Sequence, residues 1–311
     1  MESQSFARQL LQILAEDWKL IVILTTIFAF YFYYTSTFDF FKKKGIPFMK
    51  PVILLGNLGP RVRATKSFHD YQLEIYNRFK GSRFGGETFT NRLLFELKGG
   101  EWKGVRSTMT PVFSSARLKN MLPLLELCSN QMVTYFGQYG KFVSAEAKLL
   151  VTSHSFNVIC FLLQFENLCF TLSETLRMYP PVSRVDRVVT KPYTLPETNI
   201  QLNIGDIVAI PIYGVHMDPE YYPEPQEFRP ERFIGEDKKD RPSHLFLAFG
   251  AGPRNCIGLR FAMISAKIAM VCLMQNFKYT TCDKTQDPVT FDKRALLLKT
   301  STGLWVRIDK L

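Results

Sequence analysis

The chain has 311 residues, 46% of them hydrophobic and 22% charged, which excludes a disordered tail, a collagen and a low-complexity polymer. Lysine and arginine number 39 against 28 aspartates and glutamates, a formal net charge of +11. This charge excludes a strongly acidic protein and predicts an anionic neighbour: phospholipid, nucleic acid or an acidic partner. The six cysteines form no C-x-x-C pair and the four histidines no H-x-x-x-H pair, which argues against a zinc site and against a secreted disulfide framework.

Near the N-terminus, residues 20–34 form an apolar run without charged residues. Trp18 precedes this run and three lysines follow it at 42–44. A spanning helix needs about 17–25 residues, and the aromatic residues at the ends of this run could extend it through both membrane interfaces. No small-residue cleavage site follows the run. We therefore predict that residues 1–40 are an N-terminal transmembrane anchor, and the lysines predict that everything after it faces the cytosol. The alternative is a buried core helix.

After the anchor, prolines and a glycine predict a stiff hinge at residues 41–51, followed by one folded unit over residues 52–311. Apolar residues at helical spacing predict helices, the second of which Pro123 could divide; they cover residues 68–79, 117–136, 166–179 and 257–277. Runs rich in β-branched residues predict strands at 185–190 and 206–212 and a closing hairpin from 296–300 and 304–308. The fold class predicted is mainly α with small β-sheets.

The segment richest in chemical information is residues 249–258, where Cys256 lies between Gly252 and Gly258, directly before a predicted helix. Glycines allow a tight turn and the close approach of a planar ligand. Backbone N–H groups at the start of a helix favour a thiolate. Such a cysteine is suited to bind a metal through sulfur, whereas an isolated buried cysteine is usually a small apolar residue.

The pattern Phe249-x-x-Gly252-x-Arg254-x-Cys256-x-Gly258 resembles the haem-thiolate loop of the cytochrome P450 family. The resemblance implies haem b, that is iron protoporphyrin IX, with Cys256 as the axial ligand of the iron, whose thiolate favours O–O cleavage. It also implies that Phe249 packs under the loop and that Arg254 donates to a haem propionate.

Three further motifs match that family in its order. Glu174-x-x-Arg177 resembles its E-x-x-R motif, and Arg232, in a P-E-R-F segment, would complete a buried three-member network that fixes one arrangement beneath the cysteine. Each pair alone would more simply be a solvated surface ion pair.

Trp102 and Arg106 resemble the W-x-x-x-R motif, in which both side chains reach a haem propionate. Arg187 matches a position at which many microsomal members place another propionate partner. His216 also matches the family, and we interpret it as structural rather than as an iron ligand, because the thiolate already supplies the axial bond.

The chain departs from this family in two places. Only 67 residues separate Arg106 from Glu174, too few for the family's intervening helices, since the long distal helix alone needs on the order of 30 residues. The distal signature A-G-x-[D/E]-T is absent, so no catalytic residue is identifiable on the distal side. Seven residues between Gly86 and Leu94 replace the substrate-covering segment. The resemblance therefore implies an incomplete cytochrome P450 fold with internal segments missing.

Three functions compete. The first is a monooxygenase of the endoplasmic reticulum membrane, of microsomal, insect type, that inserts one oxygen atom from O2 into a lipophilic small molecule. Its implied partner is an acidic NADPH-cytochrome P450 reductase docked near Lys103, Arg260 and Lys267, with cytochrome b5 as a second candidate donor. The second is a non-catalytic remnant, haem-binding or haem-free. The third is a basic, membrane-tethered binding protein. No nucleic-acid-binding motif supports a nucleic-acid partner.

Overall fold

The computed structural model describes residues 18–79, 97–139, 142–144 and 167–311, apart from positions 37, 44, 54, 58, 98, 197, 236–240, 287–288 and 296. Helices dominate this part of the chain. In chain order they are α1 (Trp18–Thr35), α2 (Phe40–Lys43), α3 (Gly59–Val62), α4 (Phe68–Phe79), α5 (Gly99–Met109), α6 (Ser115–Tyr139), α7 (Asn167–Met178), α8 (Ile212–His216) and α9 (Leu259–Asn276). Short 3-10 turns cover Thr110–Phe113, Pro230–Phe233, Ser243–Leu245 and Gly252–Arg254.

Three small antiparallel sheets accompany the helices. Strands β1 (Phe142–Ser144), β7 (Trp305–Lys310) and β6 (Phe277–Thr280) form one sheet in that order. Strand β2 (Val185–Val188) pairs with β5 (Ile207–Ile210), and β3 (Tyr193–Thr194) pairs with β4 (Gln201–Leu202). The predicted class, mainly α with small sheets, therefore describes the fold.

Helix α1 forms where the transmembrane anchor was predicted, but the part of the chain that the structure describes contains no helix long and apolar enough to cross a membrane. The predicted spanning helix is therefore not found.

Two apolar clusters hold the folded part together. In the first, α6 lies against the first sheet and the end of α9; its buried members are Leu273, Phe277, Tyr279, Val306 and Ile308. In the second, α7 packs on α9 through buried Leu168, Leu172 and Met270. Helix α9 takes part in both clusters, so the helix that follows the cysteine is also the one that joins the helical part to the sheet.

The predicted helices agree with the observed ones to within a few residues, and α6 runs through Pro123 without dividing. The predicted closing hairpin is wrong. Strand β7 pairs with β6 and β1, and Val306 and Ile308 on it enter the first apolar cluster. The N–H of Leu298 instead donates to the carbonyl of Pro181 at 3.0 Å, and Thr300 forms an isolated antiparallel bridge with Phe291, so that segment pairs with residues that precede it. The short segment between Gly86 and Leu94 lies outside the described residues.

Substitution of Gly214 in α8 tests how closely α8 packs on α4. A Cβ at this position would lie 2.4 Å from Cγ of Tyr76, closer than any side chain tolerates. We expect Gly214→Ala to lower the free energy of unfolding by about 1–3 kcal/mol, the usual cost of overpacking. Gly104→Ala in α5 is the matched control, because nothing lies within 4 Å of its Cβ position. Chemical denaturation should show that variant unchanged or more stable, and equal losses in both variants would contradict the packing.

Candidate cofactor site at the cysteine loop

The loop at residues 249–258, called here the cysteine loop, is closed by its own backbone. The N–H of Cys256 donates to the carbonyl of Phe249 at 2.7 Å. Gly250 and Gly252 have φ values of +69° and +72°, in the left-handed region where a glycine is strongly preferred. The loop leaves Cys256 exposed and leads directly into α9. Its sulfur is thus held by a tight turn and remains accessible to a ligand.

Helix α5 contacts the cysteine loop through the side chain of Arg106. One guanidinium nitrogen donates to the backbone carbonyl of Asn255 at 2.9 Å, and the other donates to its Oδ1 at 3.0 Å. Asn255 immediately precedes Cys256, so Arg106 fixes the residue next to the sulfur. Phe113, in the 3-10 turn that follows α5, packs against the other end of the loop: its ring lies 3.6 Å from the position that a Cβ on Gly258 would take.

Arg254 makes the second link between the loop and α5. Its guanidinium carbon lies 4.3 Å from the ring centroid of Trp102, and its Nη2 donates to the carbonyl of Leu97 at 2.9 Å. Arg187 on β2 lies close enough to Arg254 for the two charges to interact. Burial lowers the pKa of Arg187, the positive charge of Arg254 lowers it further, and Asp186 partly offsets both.

These contacts gather the cationic side chains of Arg106, Arg187 and Arg254 at the cysteine loop. Among the residues that the structure describes, no carboxylate lies within ion-pair distance of Arg106 or Arg254, whose partners are an amide, a carbonyl and an aromatic ring. An anionic group placed here would relieve the repulsion between Arg187 and Arg254. A flat cofactor with two carboxylates and a metal that accepts a thiolate fits this donor set.

A buried ion-pair network connects α7 to the 3-10 turn at Pro230–Phe233. Glu174 and Arg177 on α7 have completely buried side chains and pair through two hydrogen bonds, 2.7 Å from Nε to Oε2 and 2.8 Å from Nη2 to Oε1. Arg232 adds an ion pair, with its Nε 3.4 Å from Oε1 of Glu174. Arg177 also donates to the carbonyls of His216 and Pro225 at 2.8 and 2.9 Å.

His216 belongs to this network and not to the cysteine loop. Its Nε2 accepts from the N–H of Leu247 at 2.9 Å, which leaves Nδ1 as the donor to the carbonyl of Arg177 at 3.0 Å. Burial lowers the pKa of His216 to about 3. Both ring nitrogens are therefore used, and the neutral imidazole connects α7 to the segment that precedes the cysteine loop.

The structure thus links Trp102, Arg106 and Arg187 to the cysteine loop, through Asn255 and Arg254, although they come from separate stretches of sequence. Sequence reasoning missed two participants. Asn255 carries the contact to Arg106, and its position beside the cysteine was the only signal available. The carbonyl of Leu97 has no sequence signal, because every residue carries one.

Comparison of the sequence with known proteins finds similarity to cytochromes P450. A model of the family described as "Cytochrome P450" matches residues 164–306, which include the cysteine loop and the buried network. "Probable cytochrome P450 6a14" of Drosophila melanogaster is 44% identical over 140 residues, 45% of this chain and 28% of the relative. "Cytochrome P450 3A13" of Mus musculus is 43% identical over 141 residues, 44% of this chain and 27% of the relative.

A third relative matches along most of its length. "Cytochrome P450 9e2" of Blattella germanica is 23% identical over 504 aligned positions, which cover 89% of this chain and 95% of the relative. Because 504 positions exceed the 311 residues of this chain, many of them have no residue from it. The matched segments of the fruit-fly and mouse relatives cover less than a third of those proteins.

Proposed function

Because the chain belongs to the cytochrome P450 family, we propose that it binds haem b through Cys256 on the framework of a haem-thiolate monooxygenase. The observation that carries this proposal is the grouping of cationic side chains at the loop that exposes Cys256, where the partners of Arg106 and Arg254 among the described residues are neutral groups. When bound, haem supplies the oxygen chemistry that no side chain supplies. Arg187 and Arg254 would hold its propionates, and Trp102 would orient Arg254.

Arg106 has a different role in this proposal from the one that the family resemblance implied. Its hydrogen bonds to described residues go to Asn255, so it holds the loop and only indirectly the cofactor. The two glycines with positive φ keep the backbone close to where a flat ligand would lie. The proposed division of work is that Cys256 binds the iron, Arg187 and Arg254 bind the carboxylates, and Arg106 positions the sulfur.

The electrostatic part of this proposal is testable by haem titration. Arg187→Gln and Arg254→Gln should each weaken haem binding about ten-fold, because a charge-assisted hydrogen bond contributes about 1.5–3 kcal/mol and ten-fold corresponds to 1.4 kcal/mol. Arg307→Gln is the control, since its guanidinium pairs with Asp309 and both of these side chains are exposed. Absorbance titration of the haem-free chain measures all three. Unchanged affinity in both test variants would contradict the assignment of the propionate partners.

We further propose that this chain has little monooxygenase activity: insertion of one oxygen atom from O2 into a lipophilic small molecule needs a distal wall that excludes water and delivers protons. The support is the 67-residue interval between Arg106 and Glu174 and the alignment to the cockroach relative, in which many of the 504 positions have no residue from this chain. Reconstitution with NADPH-cytochrome P450 reductase, with and without cytochrome b5, tests it. Substrate oxidation tightly coupled to NADPH consumption would refute it.

Docking of the acidic reductase is proposed on the side of α5 and α9 next to the cysteine loop. Lys103 and Arg260 are exposed there, whereas Lys267 contacts Cys169 at 2.6 Å and is left out of the proposed surface. If charge steers this encounter, electron-transfer rates should fall as ionic strength rises. Rates independent of salt would refute steering by these charges.

Association with the endoplasmic reticulum membrane, with the folded part in the cytosol, is proposed through α1. Its apolar side chains are exposed on the folded chain, with Ile27, Phe28 and Phe32 each about 60% accessible. Exposed apolar surface of this kind is typical of contact with lipid or protein. Flotation with phospholipid vesicles should recover the chain but not an Ile27→Ser, Phe28→Ser, Phe32→Ser variant. Equal flotation of both would refute attachment through α1.

A further inference from the structure

A thiol and an amine from two different helices meet outside the cysteine loop. Nζ of Lys267 on α9 lies 2.6 Å from Sγ of Cys169 on α7. The two helices are held together next to this contact by Leu168, Leu172 and Met270. Both members of the pair are partly exposed. The pair therefore lies at the edge of a packed interface, where the backbone fixes both partners and small oxidants can reach the sulfur.

Among the described residues, no acidic group competes with Cys169 for the amine of Lys267. No carboxylate lies within ion-pair distance of Lys267 in the described part of the chain, so its recorded polar partner is the sulfur. The other cysteines that the structure describes differ: Cys128 and Cys256 are exposed, and Cys282 contacts the hydroxyl of Thr285 at 3.5 Å. Of the described cysteines, Cys169 is the one recorded in contact with an amine.

We propose that Cys169 and Lys267 form a reversible covalent sulfur–nitrogen cross-link when a hydroperoxide oxidises the thiol. The sulfur of Cys169 first attacks a peroxide oxygen, so that an S–O bond forms, the O–O bond breaks and, with hydrogen peroxide, water leaves. This step oxidises the sulfur to a sulfenic acid by two electrons and reduces the peroxide. Sulfenic acids condense with nearby nitrogen nucleophiles. The amine of Lys267, after losing a proton to solvent, then forms the S–N bond while the S–O bond breaks and a second water leaves.

The geometry favours this product over further oxidation. A nucleophile already in contact with the reacting atom behaves as if it were present at very high concentration. Here the amine is in contact with the sulfur before oxidation and is held there by two packed helices. The cross-link would tie α7, which carries Glu174 and Arg177, to α9, which follows the cysteine loop. This inference does not depend on haem binding.

Mass spectrometry of the full chain after treatment with hydrogen peroxide tests the proposal. We expect a joined peptide that contains Cys169 and Lys267, two hydrogen atoms lighter than the sum of its parts, which dithiothreitol separates. In Lys267→Met, which keeps chain length but removes the amine, the joined peptide should be absent and Cys169 should proceed to sulfinic acid at least ten-fold faster. Cys272→Ser, which changes a neighbouring cysteine of α9, is the control and should cross-link normally.

Three results would overturn the proposal. One is a wild-type chain in which Cys169 is oxidised to sulfinic acid as fast as in Lys267→Met, with no joined peptide. Another is a joined peptide that retains an oxygen atom, which would mean a different bond. The third is a disulfide between Cys169 and another cysteine as the main product. Circular dichroism of each variant before oxidation shows that the comparison is between folded chains.

Discussion

Glu174→Ala should lower the free energy of unfolding by about 3–5 kcal/mol, the range found when one partner of a buried ion pair is removed. The reason is that Glu174 accepts from Arg177 twice and from the backbone N–H of Arg229 at 3.0 Å. Without the carboxylate, the buried guanidiniums of Arg177 and Arg232 lose the negative charge they share. Chemical denaturation of the purified chain measures the effect.

The matched control is Glu74→Gln, which breaks an exposed pair with Lys66 whose Nζ–Oε2 distance is 2.6 Å. Solvent-exposed pairs contribute about 0.2–1 kcal/mol, so this variant should unfold almost as the parent does. If Glu174→Ala does not fold, Arg177→Lys keeps the charge and loses the two-pronged geometry, and it should give an intermediate loss. A loss below about 1 kcal/mol for both network variants would contradict the role given to the network.

Stability should fall as the pH is lowered from about 6.5 toward 5, and His216 should account for much of the fall. Burial lowers the pKa of His216 to about 3, while an unfolded histidine binds its proton near pH 6.5. Below pH 6.5 the unfolded chain therefore takes up a proton that the folded chain refuses, and unfolding becomes more favourable. One such group contributes roughly 1.4 kcal/mol per pH unit, about 2 kcal/mol between pH 6.5 and 5.

Denaturation of His216→Asn across this pH range checks the expectation. The variant should be less stable at pH 7, because its side chain cannot reproduce both hydrogen bonds, but its stability should depend less on pH. Burial also lowers the pKa of His69, so part of the slope should remain. His244→Gln, at an exposed position, should keep the full slope. A slope in His216→Asn equal to that of the parent would contradict the assignment.

How far the sequence predicts this structure differs between its elements. Local patterns were sufficient for α4, α6, α7 and α9, because apolar spacing and flanking prolines act within the segment itself. The partner of β7 was not predictable, since pairing with β6 and β1 is decided by which apolar cluster Val306 and Ile308 enter. The same distinction applies to α1, whose helix was predicted but whose membrane span was not found.

In the candidate site, the motifs indicated which side chains belong together but not what each one contacts. Arg106 was expected at a propionate and is found on Asn255. The guanidinium geometry suits either partner, and only the fold decides which is near. The contact between Lys267 and Cys169 had no sequence signal at all, because it depends on how two distant helices pack. Residues 145–166, which make up much of the interval between Arg106 and Glu174, lie outside the described residues.

The reduced, carbon monoxide-bound absorption spectrum of the haem-loaded chain tests most directly whether Cys256 is the ligand of a haem iron. The parent chain and Cys272→Ala, which alters a cysteine farther along α9, should both give the spectrum typical of thiolate ligation. Cys256→Ala should lose it, even if some haem remains bound. A thiolate-type spectrum that survives in Cys256→Ala, or a parent chain that binds haem without one, would contradict the account.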